Sequence, residues 1–251
     1  SGWASRPADQ PMFVESSAVE DLWHQENDFD DFALQPLLPH RLSTAGPCMA
    51  WADVNGDSHL DVYLGGSAGG VGEIRLGDGN GNFDIAINPV FFNDVGAEDA
   101  SAVFGDFDGD GDFDLLVGRG SYEFKEGDPL QENALFLNDG KGKFVKAAEG
   151  TIPDSATNTG TIAACDFDSD GDLDLFLGTR VRHGEYPLSA PSELWINDGG
   201  RFTTATLRST SDGSNAGLIT GAVWANICGD EQPDLILARE WNTVVVFENV
   251  K

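Results

Sequence analysis

The sequence predicts an all-β fold, a β-propeller of four blades, on three observations. An acidic loop recurs at a blade-sized period, an Asp-Gly hairpin recurs behind it, and small residues alternate along the strand before each loop. Asp53, Asp106, Asp166 and Asn226 open the four loops, with steps of 53, 60 and 60 residues. A period of that length fits four short strands per unit. Each loop leads into an apolar run: Asp61-Val62-Tyr63-Leu64-Gly65, Asp114-Leu115-Leu116-Val117-Gly118, Asp174-Leu175-Phe176-Leu177-Gly178 and Asp234-Leu235-Ile236-Leu237. The second half of a unit repeats as well. Leu135-Phe136-Leu137-Asn138-Asp139-Gly140 turns into Lys143-Phe144-Val145, and Leu194-Trp195-Ile196-Asn197-Asp198-Gly199 turns into Arg201-Phe202-Thr203. In the first unit Ile74-Arg75-Leu76 and Asp78-Gly79 turn into Asn82-Phe83-Asp84. Asp-Gly between apolar runs marks a hairpin, because the favoured turn needs positive φ. Each blade therefore reads strand A, acidic loop, strand B, connection, strand C, Asp-Gly turn, strand D.

The first strands carry the third observation. Cys48, Ala50 and Ala52 alternate, as do Ser101, Val103 and Gly105; Thr161, Ala163 and Cys165; and Gly221, Val223 and Ala225. Strand side chains alternate faces, so each set shares one face, and small residues suit strands crowded around an axis. Met49, Trp51, Phe104, Ile162 and Trp224 occupy the opposite faces and are expected to pack between blades. A helical reading fails on the period of two and on the Gly and Asp-Gly interruptions.

Charge narrows the function. The chain of 251 residues carries 43 acidic and 14 basic residues, net −29. That sign argues against nucleic acid or membrane insertion, since phosphate partners need Lys and Arg. A hydrophobic fraction of 40% with 16 Phe and 6 Trp supplies a core, so acidity here does not mean disorder. No apolar run approaches the roughly 18 residues of a membrane span. Cys48, Cys165 and Cys228 allow one disulfide at most, so no disulfide framework holds the fold. Cys165 is expected in the core and Cys228 near solvent. The opening Ser1-Gly2-Trp3, without Met or leader, reads as a processed or recombinant form.

Carboxylates at positions one, three, five and nine of a tight loop repel one another unless a cation neutralises them. Ca²⁺ takes six to eight oxygens in the irregular geometry that a loop supplies. Three loops fit: Asp53, Asn55, Asp57 and Asp61; Asp106, Asp108, Asp110 and Asp114; Asp166, Asp168, Asp170 and Asp174. The position-seven carbonyls of His59, Asp112 and Asp172 complete each shell, and Gly at position four or six permits the turn. An EF-hand needs Glu at position twelve, where Leu64, Val117 and Leu177 stand. The fourth loop, 226–234, has Asn226 and Cys228 in place of carboxylates and is expected to bind Ca²⁺ weakly or not at all.

These D-x-D-x-D-G-x-x-D loops, followed by N-D-G-x-G-x-F hairpins, resemble FG-GAP/VCBS-type repeats of integrin α subunits and secreted bacterial proteins. The stretch His24-Gln25-Glu26-Asn27 through Asp31-Phe32, with Leu37-Leu38-Pro39 and Gly46-Pro47, is similar to large secreted bacterial members. The resemblance implies a calcium-stabilised extracellular propeller used for binding or adhesion. Its propellers usually have seven blades, and four repeats are counted here.

The chain reads as one domain over 1–251, with 1–11 as a tail. The last repeat stops after strand C at Val244–Asn249, and Met12-Phe13-Val14-Glu15-Ser16 resembles strand D of the other blades. Residues 12–17 could complete the last blade, could be donated to a neighbouring copy, or the four blades could belong to a larger ring. The long connections 21–47, 88–100, 119–132, 148–160, 179–193 and 208–219 all fall on the face opposite the acidic loops. On that face Tyr122, Phe124, Lys125, Arg180, Arg182, His183, Tyr186 and Trp241, with Trp23, are the candidate ligand contacts. The expected partner is a protein, a glycan or another copy of the chain. No nucleophile elbow, HExxH or phosphate loop occurs, so the expectation is no enzyme. A polysaccharide-active enzyme on the long-loop face is the alternative, and His24 and Glu26 could belong to such a site.

Overall fold

The computed structural model describes residues 13, 22–44, 46–188, 191–207 and 217–250. Fifteen strands form four antiparallel meanders. Blade 1 holds β1 (Met49–Ala52), β2 (Asp61–Leu64), β3 (Glu73–Gly77) and β4 (Phe83–Ala86). Blade 2 holds β5 (Asp99–Gly105), β6 (Asp114–Arg119), β7 (Ala134–Asn138) and β8 (Phe144–Lys146). Blade 3 holds β9 (Thr159–Cys165), β10 (Asp174–Thr179), β11 (Glu193–Asn197) and β12 (Phe202–Ala205). Blade 4 holds β13 (Ile219–Ala225), β14 (Asp234–Arg239) and β15 (Val245–Phe247), three strands among the described residues. The predicted order of strands and turns is the observed one.

The blades stack in chain order, β1 on β5, β5 on β9 and β9 on β13, while β13 and β1 show no comparable packing. Three apolar layers fill the junctions. Ala50, Ala52, Tyr63 and Ile74 meet Phe104, Leu115, Val117 and Phe136. Val103, Leu116 and Leu135 meet Ile162, Leu175, Leu177 and Trp195. Phe176 and Leu194 meet Trp224, Leu235, Leu237 and Val245. These layers correct one expectation. The small residues of strand A face the following blade rather than the axis, because radial sheets turn their two faces toward their neighbours. Phe104, Ile162 and Trp224 face the preceding blade as expected; Met49 and Trp51 have none to face and are 54% and 44% exposed.

Close approach at the junctions depends on the glycine that follows strand B's apolar run. A Cβ on Gly118 would lie 2.3 Å from Ser101 Oγ and 2.7 Å from Thr159 Cγ2; on Gly178, 2.6 Å from Thr161 Cγ2 and 2.7 Å from Ile219 Cγ2. On Gly65 it would meet Cys48 Sγ at 2.4 Å and Asp99 Cβ at 2.8 Å. The equivalent residue of blade 4 is Ala238, which is exposed.

An N-terminal segment lies over the long-loop face. Its helix α1 (Asp31–Leu34) is capped by Asp30. Leu34, Leu38 and Leu42 pack with Tyr122 of blade 2, Val181 and Tyr186 of blade 3 and Leu218 of blade 4. Buried Asp31 accepts hydrogen bonds from the backbone N–H of Leu42 and Ser43 and from Ser43 Oγ, closing the segment into a compact cap. Residues 12 and 14–17 of the closing strand lie outside the described residues; Phe13 is 89% exposed and in no strand. The three cysteines are free, with Cys48 buried, Cys165 half-buried and Cys228 exposed.

Gly118→Ala is expected to destabilise the fold by about 1–3 kcal/mol through overpacking. Ala238→Gly should change stability by no more than about 1 kcal/mol, the chain-entropy effect of glycine. Urea unfolding of both variants checks this, and equal losses would refute the junction argument.

Candidate functional site

Each acidic loop is wound around its first residue. Asp106 Oδ1 accepts the Gly109 N–H at 2.9 Å and Oδ2 the Gly111 N–H at 3.1 Å. Asp166 does the same with Ser169 at 2.7 Å and Gly171 at 3.1 Å, and Asp53 with Gly56 at 2.8 Å and Ser58 at 2.7 Å. Positions four and six both take positive φ in every loop, Ser58, Ser169 and Glu231 included. The left-handed turns fold each side-chain oxygen back toward the next.

The ninth residue has a structural role that the spacing alone did not reveal. Asp61, Asp114, Asp174 and Asp234 are fully buried. Each takes one N–H from the loop's second residue and one from the end of strand C. Asp114 bonds Phe107 at 3.1 Å and Asn138 at 2.9 Å; Asp174 bonds Phe167 at 3.1 Å and Asn197 at 2.9 Å. Asp61 bonds Val54 and Gly77, and Asp234 bonds Ile227 and Asn249. The asparagines carry the link onward. Asn138 Nδ2 donates to Val54 O at 2.8 Å, Asn197 Nδ2 to Phe107 O at 3.0 Å, and Asn249 Nδ2 to Phe167 O at 2.7 Å, each into the loop of the preceding blade. Gly77 holds this position in blade 1. The recurring Asn before Asp-Gly was the sequence signal, and it does not recur at Gly77.

Two loops gather carboxylates to cation-binding distance. Oxygens of Asp106, Asp108 and Asp114 lie within 4.8 Å of one another, as do those of Asp166, Asp168 and Asp174. Asp168 Oδ1 is buried without a hydrogen-bond partner. Burial, reinforced by neighbouring acids, pushes Asp114 and Asp174 up to about 6. Burial likewise raises Asp108, and Asp168 with Asp170 adding. Asp110, Asp112, Asp170 and Asp172 stand outside these triads; Asp172 Oδ2 accepts the Gly199 N–H at 2.7 Å, tying its loop to the hairpin. In the first loop Asn55 Nδ2 donates to Asp57 Oδ2 at 3.1 Å, and His59 Nδ1 lies 3.3 Å from Asp57 Oδ1. The His59 N–H and Asn55 hold Asp57 low. In the fourth loop the N–H groups of Ile227 and Cys228 hold Asp234 low.

On the long-loop face Tyr122 is fully buried and donates its hydroxyl to Gln35, so it anchors the cap rather than meeting solvent. His183 Nδ1 bonds Tyr122 O at 2.8 Å. Tyr186 donates to Glu240 at 2.8 Å, accepts the Trp241 indole N–H, and is tied to Gln35 through its backbone. Trp241 is 76% exposed. Arg182 lies between Glu126 and Glu185 at 3.7 and 3.9 Å; Arg180 Nε is buried without a partner, and Lys125 is exposed. Trp23 belongs elsewhere, lining a hollow on blade 1 with Gly65, Gly70 and Arg75.

Residues 53–117 and 126–177 match the family described as FG-GAP-like repeat. No curated relative matches the chain. A solved structure described as "Structure of Dos1 propeller" is similar over 79% of this chain and 43% of that one, at 14% identity and a TM-score of 0.45. The chain spans less than half the length of that propeller. Among the described residues no helix is long and apolar enough to cross a membrane.

The raised carboxyls set a pH dependence for protein stripped of metal with EDTA. Asp114 and Asp174 bind their protons more tightly folded than unfolded, so the folded state holds more protons from about pH 4 to about 6. Stability in EDTA should therefore be greatest below that window and fall as pH rises through it. Urea melts across pH 3.5–7 check this; stability rising through that range would contradict the burial argument.

Proposed function

We propose that this chain, a β-propeller built of FG-GAP-like repeats, is a non-catalytic, calcium-stabilised recognition module that works in secreted form or at the cell surface. The carrying observation is the pair of carboxylate triads. Asp106, Asp108 and Asp114 would hold one ion with the Asp112 carbonyl, and Asp166, Asp168 and Asp174 another with the Asp172 carbonyl. The donor set fits: hard oxygens, acceptor-only, one of them buried and unpartnered. A bound calcium would neutralise the triads and lock the two left-handed turns. The loop of Asp53, Asn55, Asp57, His59 and Asp61 is the weaker third site, because Asn55 and His59 already engage Asp57. Millimolar calcium outside the cell suits exposed loop sites of modest affinity.

A rigid stack of blades presenting long connections supports a binding role in general. Exposed Trp241, whose indole N–H meets the Tyr186 hydroxyl, supports a protein or glycan ligand. The free edge of β15 among the described residues supports a second mode, addition of a strand from another copy.

Calcium binding only the native state raises stability by mass action. Thermal melts in calcium should exceed those in EDTA by several degrees. Asp108→Asn should lower the melt in calcium and leave it equal or higher in EDTA, where a like charge has been removed. Identical melts of calcium-loaded and demonstrably metal-free protein would overturn the reading. A glycan array run beside a reducing-sugar release assay separates recognition from polysaccharide cleavage.

A further inference from the structure

Outside the repeat loops, uncompensated charge concentrates where the N-terminal segment crosses the junction of blades 1 and 2. Three carboxylates come there from separate parts of the chain: Glu26 from the segment, Glu98 from the turn before β5, and Glu123 from the connection after β6. The segment is held in place by His24 Nδ1 against Gly65 O at 3.1 Å and by Ser67 Oγ donating to Gln25 O at 2.7 Å. Asn27 Nδ2 donates to both oxygens of Glu123, at 2.8 and 2.9 Å.

What remains is a set of bare acceptors. Glu98 is 5% exposed, and its Oε2 has no hydrogen-bond partner. Glu26 Oε2 and Asn27 Oδ1 are likewise buried without one, whereas Glu26 Oε1 faces His24 Nε2 at 3.2 Å. None of these oxygens can donate while the carboxylates are ionised. Arg119 is committed elsewhere, 2.9 Å from Asp94 and 3.6 Å from Asp99, and His24 Nε2 reaches a single oxygen of the set, Glu26 Oε1, at 3.2 Å. Burial, opposed by a hydrogen bond with the Ser121 side chain and reinforced by Glu123, Glu26 and Asp99, pushes Glu98 up to about 8.

Blade geometry does not require this carboxylate. At steps of 60 residues Glu98 is followed by Asn158 and Leu218, each immediately before strand A of its blade. The same position accepts a neutral amide or an apolar chain.

We infer that Glu26, Asn27 and Glu98, backed by Glu123, hold a divalent cation of the calcium type that ties the N-terminal segment across blades 1 and 2. The site is distinct from the repeat loops and uses oxygens from three segments. Its three carboxylates stand wider apart than the triads of blades 2 and 3, whose oxygens lie within 4.8 Å. A calcium shell of six to eight oxygens closes such a gap with water or by drawing the segment inward.

Calcium titrations of EDTA-stripped protein by calorimetry, with native mass spectrometry to count ions, test the assignment. Glu98→Gln and, on the segment itself, Glu26→Gln should each bind one calcium fewer than the unaltered chain. Their melts in EDTA should equal or exceed the parent's, which shows that they fold. Calcium should slow proteolysis within residues 22–30 at least fivefold in the parent and not in Glu98→Gln. A triple variant, Asp53→Asn with Asp108→Asn and Asp168→Asn, should lose the loop ions and keep this one, so the loop sites and this site fail separately. The inference is overturned if Glu98→Gln and Glu26→Gln keep the full ion count, if calcium protects the segment equally in Glu98→Gln, or if the triple variant binds no calcium.

Discussion

The stack depends on one repeated interaction, the buried aspartate at the ninth position of each acidic loop. Asp61, Asp114, Asp174 and Asp234 each close their loop onto strand C through backbone N–H groups. A carboxylate accepting such bonds satisfies donors that burial would otherwise leave bare, at about 1–3 kcal/mol each. It also fixes the strand end whose asparagine reaches into the preceding blade. Loop, hairpin and blade junction are therefore one unit, and cation binding in the loop acts on the same carboxylate that braces the sheet.

The same bookkeeping of positions shows the direction of the stack. Blade 1 has Gly77 where later blades carry the bridging asparagine, and no blade precedes it here. Blade 4 has Ala238 where earlier blades carry the glycine that admits the next strand A. These two positions are where the junction residues of the other blades do not recur. The exposed side chains agree: Met49 and Trp51 on blade 1, and Val223 and Val246 on blade 4, occupy faces that are covered wherever a neighbour exists.

Strand order, loops and hairpins were legible in the sequence because their causes are local: alternation, Asp-Gly turns and carboxylate spacing. The direction in which the small residues of strand A face was misread, since alternation sorts side chains into two faces but only the radial packing says what each meets. The acidic loops were legible as a class. The difference of the first from the next two was not, because it lies in the partners Asn55 and His59 supply to Asp57. The long-loop contacts were the least legible. Tyr122 looked like an exposed aromatic in a polar connection and is instead sealed by Gln35 and the leucines of residues 34–42, contacts made from far away in the chain. Glu98 drew no attention at all, although comparison with Asn158 and Leu218 across the period was available.

With a net charge of −29, the informative distinction among acids is how their oxygens are satisfied. Asp31, Asp61, Asp114, Asp174 and Asp234 are buried, and each is surrounded by N–H or O–H donors from its own fold. Asp99 accepts from Tyr63 and Gly66 and lies beside Arg119. Where a carboxylate serves as a brace, the chain has brought its donors. Asp168 Oδ1, Glu98 Oε2 and Glu26 Oε2 are buried without any. Burying a carboxylate oxygen with no donor of its own is unfavourable. The two environments occur side by side in one molecule, so the bare oxygens do not reflect a general shortage of donors. They mark the places where the counterion is expected to come from solution.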